Sequence, residues 1–399
     1  MAERQRARLV ELTLQDGNQD CADCGDKNPD WASCTIGVFL CQTCAGIHRG
    51  LGSSNSRIKS IHLDNWDKDQ VQVMEMIGNI KAKDKYEMCV PPYYKRPTSQ
   101  TVDVLKKEWI MAKYQRLEFT DTDRQDAYNV SQKSGLLWKL GRDRKQFAQR
   151  RFVLSRTENK LYYYVNEENG KKNVIFYFQQ KQPKAEADLD FLNAVFVPEK
   201  IGNPFGLQIT YFKNGSTRNL FVYSENSKEI VDWFMCIRAA KWERRRIAFP
   251  DRDLTQLAED LTKDFLMEGW LSKMGPKNEP FRRRWFTLDR RKLMYFEEPL
   301  NAFAKGEVFI GHKDGGYSVS TGSEEGDRGS NSQNTSSYCF TLNTPDRKFV
   351  LRAETQDDMH KWVMAMQKVV EMPLTTQDSK LAGLLVPKKS SNSFRLIKR

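Results

Sequence analysis

Cys21-Ala-Asp-Cys24 and Cys41-Gln-Thr-Cys44 stand sixteen residues apart near the start of a chain of 399. Each Cys-x2-Cys hook puts two thiolates on one tight turn, and two hooks at this separation close a tetrahedral site of four sulfurs, the arrangement that holds Zn2+. Such a shell leaves no open coordination position, so one zinc ion is expected and its role is structural. Five residues beyond the last hook lies an arginine, Arg49, which points to catalysis beside the metal fold. The remaining cysteines, Cys34, Cys89, Cys236 and Cys339, are scattered, unlike the dense framework of a small secreted domain. The opening MAERQRARLVELTLQD is charged and has no apolar core of signal-peptide length. The longest apolar runs, Ile36 to Cys41 and Leu381 to Val386, are far too short to span a bilayer. A soluble, cytoplasmic protein is expected.

Net charge is +12 and unevenly spread: residues 1–125 balance to zero, 131–248 carry +10, 264–373 balance to zero and 374–399 carry +5. A zinc module that gripped nucleic acid would hold the excess charge itself, because neutralised phosphates supply the non-specific affinity. A neutral finger argues against nucleic acid as a partner. Composition divides the chain into a finger domain (1–125), a first strand-rich domain (131–248), an acidic linker (249–263), a second strand-rich domain (264–373) and a basic, disordered tail (374–399). Only residues 126–130 separate the first two, so a compact arrangement is expected.

Helices are expected to dominate the finger domain. Arg4 to Leu14 reads as an amphipathic opening helix, and Asp67 caps a helix carrying Val71, Met74 and Ile77 that ends near Gly78. Thr98 or Ser99 is the expected cap of a further helix, with Val102, Leu105, Trp109 and Ala112 on its core face.

From about residue 131 the pattern changes to strands, and it occurs twice. Gly135-Leu-Leu-Trp-Lys139-Leu-Gly141 returns as Gly269-Trp-Leu-Ser-Lys273-Met-Gly275, and Arg150-Arg-Phe-Val-Leu154 as Arg284-Trp-Phe-Thr-Leu288, both at an offset of 134 residues. Each copy closes with one amphipathic helix: Ile230, Trp233, Phe234 and Ile237 behind Asn226, then Met359, Trp362, Val363 and Met366 behind Thr355. Each unit reads as a twisted set of short strands plugged by the helix tryptophan. Leu254, Leu257 and Leu261 allow a short helix in the linker, and residues 321–336 read as a Gly/Ser/Asn-rich loop. Charge gathers in the first hairpin of each copy. Lys133 to Arg151 holds seven basic residues and one acidic, and Trp270 to Lys292 holds eight and two. Alternation puts Arg282 and Arg284 on one face with Lys273 beside them, a cup suited to a multiply phosphorylated headgroup.

The segment Cys21 to Trp66, with Pro29-Asp-Trp-Ala-Ser33, Gly46-Ile-His-Arg49 and Ser60-Ile-His-Leu-Asp-Asn-Trp66, closely resembles the Arf GTPase-activating domain, and the two repeats resemble pleckstrin-homology (PH) domains. The order is that of the centaurin-alpha family, the Arf GAPs with dual PH domains, and the resemblance covers roughly residues 5–372. It implies an α+β multidomain fold: a small four-cysteine helical finger, then two PH-type β-barrels each capped by a C-terminal helix. It also implies that Cys21, Cys24, Cys41 and Cys44 ligate zinc, that Arg49 is the catalytic arginine offered in trans to an Arf protein bound to GTP, and that Trp31 lies beside it. Phosphoinositides and inositol polyphosphates are the implied PH ligands, the 3,4,5-trisphosphate lipid and the soluble tetrakisphosphate among them. Their expected contacts are Lys139, Arg142, Arg144, Arg150, Tyr163 and Lys172 in the first copy and Lys273, Arg282, Arg284 and Tyr295 in the second. A monomer recruited peripherally to the plasma membrane is implied, with the nucleus a second location. Two departures stand out. Ser53 to Ser56 replaces a more apolar stretch, and Ala148 stands where the second copy has Arg282. The first leaves open a phosphoinositide-binding scaffold with little GAP activity.

Overall fold

The computed structural model describes residues 2–142, 145–165, 182–275, 279–322 and 338–385. The finger begins with α1 (Ala2–Thr13), followed by a small antiparallel sheet of β1 (Trp31–Ser33), β2 (Val38–Leu40) and β3 (Ile58–Ser60), with β1 central and α2 (Gln42–Arg49) between β2 and β3. These three-residue strands are too short to show an alternating pattern, and they were not expected from the sequence. The helix expected from Asp67 to near Gly78 is α3 (Lys68–Met76), and a second helix that the sequence reading did not place, α4 (Gly78–Tyr86), follows it directly. Asp67 does cap α3 in a reciprocal box with Gln70. Gly78 is the joint, at φ +66 with Asn18 Oδ1 3.2 Å from where a Cβ would sit. The next amide, on Asn79, is bonded by that same Asn18 oxygen at 2.9 Å. Leu9 and Leu12 of α1 pack with Phe39, Trp66, Val71 and Met74 in a core of their own.

Neither Thr98 nor Ser99 caps α5 (Asp103–Ile110); the N-cap is Val102, and Thr98 instead closes a turn with Thr101. Leu105, Trp109 and Ala112 are buried as the helical spacing requires, the last of them in a π-turn that prolongs α5.

The two strand-rich units share one topology. In the first, β4 (Gln132–Leu140), β5 (Phe147–Ser155), β6 (Lys160–Val165), β7 (Ala185–Asp188), β8 (Leu192–Phe196), β9 (Leu207–Lys213) and β10 (Ser216–Tyr223) lie in the order β7-β6-β5-β4-β10-β9-β8. A one-turn helix, α6 (Pro198–Ile201), sits between β8 and β9, and α7 (Ser227–Ala248) closes the unit. In the second, β11 (Met267–Lys273), β12 (Arg282–Leu288), β13 (Lys292–Phe296), β14 (Gly306–Phe309), β15 (Ser318–Thr321), β16 (Cys339–Asn343) and β17 (Lys348–Arg352) repeat that order as β14-β13-β12-β11-β17-β16-β15. All pairs are antiparallel. The linker holds α8 (Leu254–Glu259), and α9 (Gln356–Glu371) closes the second unit. Asn226 and Thr355 cap their helices through the side chain, as their spacing implied. Trp233 and Trp362 plug the two cores in the same pose, edge-on to Phe152 at 6.2 Å and to Phe286 at 6.3 Å.

The tail expected to be disordered from residue 374 instead opens with α10 (Thr376–Leu385). Its anchor is Asp378, 3.4 Å from the buried Arg291, whose guanidinium also bonds the Val369 carbonyl oxygen at 2.7 Å. Residues 386–399 and most of the 321–336 loop lie outside the described residues.

The units are joined by packing as well as by chain. One apolar cluster runs from the finger through the first barrel, with Tyr94, Trp109, Phe119 and Tyr128 continuous with Trp233 and Phe234. Ser227 donates to Glu108 at 2.7 Å, Lys228 pairs with Asp126 at 2.5 Å and Arg238 Nε donates to the Tyr93 carbonyl at 2.7 Å. Arg238 and Arg245 also hold the linker through Thr262, the Ala258 carbonyl and the Asp260 carbonyl. Between the barrels, Glu307 accepts from Thr217 through both N and Oγ1 at 2.6 Å, Lys292 donates to Thr217 at 2.7 Å, and Lys200 pairs with Glu268.

Candidate functional sites in the finger and the two barrel mouths

The two hooks meet because β2 delivers Cys41 to the N-terminus of α2, one turn before Cys44, while Gly25, at φ +69, lets the first hook reverse. Cys21, Cys24, Cys41 and Cys44 are buried, with all four Sγ atoms within 4.8 Å of one another and Cys24 to Cys41 at 3.6 Å. Tetrahedral zinc with Zn–S near 2.3 Å requires sulfur separations of about 3.8 Å, so the donor set fits in number, type and spacing. Hydrogen bonding inside the cluster pushes the Cys21 and Cys44 thiols up and pulls Cys41 down. Four thiolates at this range repel, and a bound dication is what lets all of them ionise together. These cysteines form a metal site.

Behind it lies a buried polar chain that the sequence did not announce. His48 meets Asp23 through Nε2 at 2.9 Å and Ser56 through Nδ1 at 2.8 Å, and Ser56 Oγ donates to Ser33 Oγ at 2.8 Å. Lys113 reaches Asp23 at 3.1 Å and Glu87 at 2.8 Å. Burial pushes the Asp23 carboxyl up, but Lys113 and His48 outweigh it and hold it at about 2. The chain pins the last turn of α2 to the first hook and to Ser56, so that loop end is structural. Arg49, next along the helix, points the other way: it is exposed, and its guanidinium lies 4.6 Å from the Trp31 ring centroid. Among the described residues no carboxylate pairs with it.

At the mouth of the first barrel, Lys139 and Arg150 approach Tyr163. The Lys139 ammonium sits 5.0 Å over that ring and donates to the Leu140 carbonyl at 2.8 Å. Burial, then Arg150, lowers it to about 8. The Tyr163 phenol is raised by burial and by Tyr211, against the pull of Arg150, Arg218 and Arg142. These groups line a cavity of about 810 Å³ together with Lys145 and Lys184. The second mouth repeats the plan on a smaller scale. Lys273 lies 5.4 Å over Tyr295, and Arg282, Arg284 and Lys305 close a cavity of about 150 Å³ that also admits Glu279. Burial, Arg347 and Arg284 lower Lys273. Arg283, on the other face as alternation requires, instead lies 4.2 Å from the Trp270 centroid and pairs with Glu354.

The ArfGap family, described as GTPase activating proteins for Arf, matches residues 6–123, and the PH domain family matches 131–241 and 265–371. Arf-GAP with dual PH domain-containing protein 2 from mouse is 43% identical over 378 residues, covering 94% of this chain and 95% of the mouse protein. The human protein of that name is also 43% identical over 378 residues, with the same two shares. The chain belongs to the Arf GAPs with dual PH domains. Human stromal membrane-associated protein 1 is similar over a shorter stretch, 42% identical over 130 residues, 32% of this chain and 27% of that protein.

In this dual-PH Arf GAP, the mouth of PH1, the first barrel, brings together Lys139, Arg142, Arg150 and Tyr163 from the sequence-derived set, and that of PH2 brings together Lys273, Arg282, Arg284 and Tyr295. Arg144 and Lys172 lie outside the described residues. Sequence reasoning missed Lys145, Lys184 and Arg218 in PH1, and Glu279, Lys305 and Arg347 in PH2. A signal for two of them existed: Arg218-Asn-Leu-Phe-Val222 and Arg347-Lys-Phe-Val-Leu351 are the same strand read twice. Their offset is 129 residues instead of 134, so the repeat loses register before reaching them.

Proposed function

We propose that this chain accelerates GTP hydrolysis by an Arf protein by offering Arg49 in trans, on membranes to which both PH domains recruit it through phosphatidylinositol 3,4,5-trisphosphate. The observation that carries this reading is Arg49 itself. A guanidinium at the last turn of a helix, stacked on an aromatic shelf and unpaired with any described carboxylate, is free to offset charge developing on a γ-phosphoryl group. Trp31 holds it extended, and the Asp23–His48–Ser56 chain fixes the turn beneath it. The metal of the four-cysteine site is zinc, and it serves the fold, because the donor set is complete without water or substrate.

The PH mouths supply recruitment. Each gathers a partly dehydrated lysine over a tyrosine with strand arginines beside it, a surface that attracts clustered phosphates, and soluble inositol tetrakisphosphate presents the same chemistry. Two modest sites on one chain act together through effective concentration. On this reading the protein works from the cytoplasm and is recruited to the plasma membrane when the lipid is present.

Single-turnover GTP hydrolysis by an Arf protein on liposomes, with and without the trisphosphate lipid, tests the reading. Wild type is expected to stimulate in a lipid-dependent way, and Arg49→Ala to lose about a thousandfold or more with zinc content and liposome binding unchanged. Good liposome binding with no stimulation of several Arf proteins would leave a phosphoinositide-binding scaffold in its place.

A further inference from the structure

The PH1 cavity has a wall that belongs to PH2. After Lys139, which faces Val222, β4 parts from β10, so the first half of β10 has β9 on one side and an open edge on the other. Residues 300–303, from the turn between β13 and β14, take that edge. Arg218 and Phe303 form a β-bridge, the Asn219 amide donates to the Ala302 carbonyl at 2.9 Å, and Asn219 Nδ2 reaches the Asn301 carbonyl at 3.4 Å. The same four residues line the cavity opposite Lys139 and Arg150. The smaller PH2 cavity is lined by PH2 alone.

Arg218 is the group this wall supports. Its place is not an accident of one barrel: Lys139 pairs with Val222 and Lys273 with Leu351, and an arginine stands four residues before each partner, Arg218 and Arg347. In PH2 the arginine rests on its own strand, with its guanidinium 4.1 Å from the Phe349 centroid. PH1 has Leu220 at that position and cannot do the same. There Arg218 lies 4.9 Å from the ring of Phe303, supplied by the other domain. Its Nε is shut off from solvent and has no hydrogen-bond partner among the described residues. The half-buried Arg218 side chain hydrogen-bonds Tyr211, which leaves its shielded Nε as a donor without an acceptor at the edge of a basic cavity, a vacancy that an anion can fill.

We propose that the PH1 site is built by two domains: Arg218 binds a phosphate of a multiply phosphorylated inositol, and Phe303 of PH2 is the positioning residue that holds Arg218 toward it. The inference rests on the proposed role of the PH1 mouth as a headgroup site. It makes PH1 affinity depend on PH2 even when PH2 binds nothing.

The test uses the full chain with Lys273→Ala and Arg284→Ala, which silences the PH2 cup. Calorimetry with inositol 1,3,4,5-tetrakisphosphate reads the free ligand, and sedimentation with vesicles carrying phosphatidylinositol 3,4,5-trisphosphate reads the lipid. Arg218→Ala is expected to weaken binding about tenfold, the effect of losing one charge-assisted hydrogen bond. Phe303→Ala should cost about threefold to tenfold, and Phe303→Trp should restore binding, because a larger ring keeps the cation–π contact. A loss confined to one arm supports the proposal and assigns the site to that source. Thermal unfolding of each variant separates these effects from loss of fold. Binding unchanged by both Arg218→Ala and Phe303→Ala would overturn the proposal, as would failure of Phe303→Trp to restore what Phe303→Ala removes. If Lys139→Ala with Arg150→Ala leaves binding intact, it is the headgroup reading of PH1 that fails.

Discussion

Lys145 in the first hairpin of PH1 and Glu279 in that of PH2 occupy the same place, 134 residues apart, and each faces its own cavity. The barrels around them share strand order, pairing direction, tryptophan plug and the lysine–tyrosine stack, yet PH1 opens a cavity of about 810 Å³ among basic groups while PH2 offers about 150 Å³ with a carboxylate inside. Glu279 crowds Gly275, with Oε2 2.7 Å from where a Cβ would be, and stands 3.9 Å from Arg282. Duplication kept the scaffold because core packing constrains it; the mouths were free to diverge because they face water. Under the proposed function, the two PH domains are unequal readers of one type of ligand, with the more basic PH1 mouth suited to the more highly charged headgroup.

The largest test of this asymmetry is removal of each cup in turn. Lys139→Ala with Arg150→Ala, and separately Lys273→Ala with Arg284→Ala, should each lower vesicle recruitment about a hundredfold if both sites bind one bilayer together. Unchanged recruitment after the PH2 pair would reduce PH2 to a structural partner. Next comes pH. Lys139 is held at about 8, so it is charged below that value and neutral above it. An anion binds the charged form, so PH1 affinity for soluble inositol tetrakisphosphate should level off only below about pH 7 and fall about fivefold from pH 8 to 9, read by calorimetry with the PH2 cup silenced. A flat profile would show that Lys139 makes no contact with phosphate. Exchanging the hairpin charges is a gentler probe. Lys145→Glu should weaken PH1, and Glu279→Lys should strengthen PH2, each by about threefold to fivefold as befits exposed charges. The smallest effect lies in the cores. A Cβ at Gly135 would meet Glu229 Oε1 at 3.2 Å and Trp233 at 3.4 Å, whereas at Gly269 the Trp362 ring is 3.9 Å away. Gly135→Ala should therefore destabilise by about 1 kcal/mol and Gly269→Ala by almost nothing, measured by thermal unfolding.

What the sequence disclosed follows from how local each signal is. The four cysteines announce their site because both hooks are short and their spacing carries the geometry. The barrel repeat is legible because Lys139, Arg150 and Trp233 recur in Lys273, Arg284 and Trp362 at readable positions. Three-residue strands such as Trp31–Ser33 give no period to detect, and the helix that resumes at Gly78 is set at its start by an asparagine sixty residues earlier. Helix α10 has little amphipathic pattern and is anchored by one buried arginine from β12–β13. Phe303 was beyond reach for the same reason: its partner is on a different domain, and only the docked pair shows that it faces a cavity.

Tyr128 sits in the short connection between finger and PH1, buried against Tyr94 at 5.9 Å and Tyr93 at 6.5 Å. With Asp126 tied to Lys228 and Glu108 to Ser227, the junction has no hinge to swing on. The bearing of Arg49 relative to the PH1 mouth is thus settled when the chain folds. Under the proposed function, the rotational entropy of aiming the arginine above a bilayer is then lost at that stage, before any lipid or GTPase is met, and an encounter on the membrane has only to align the GTPase.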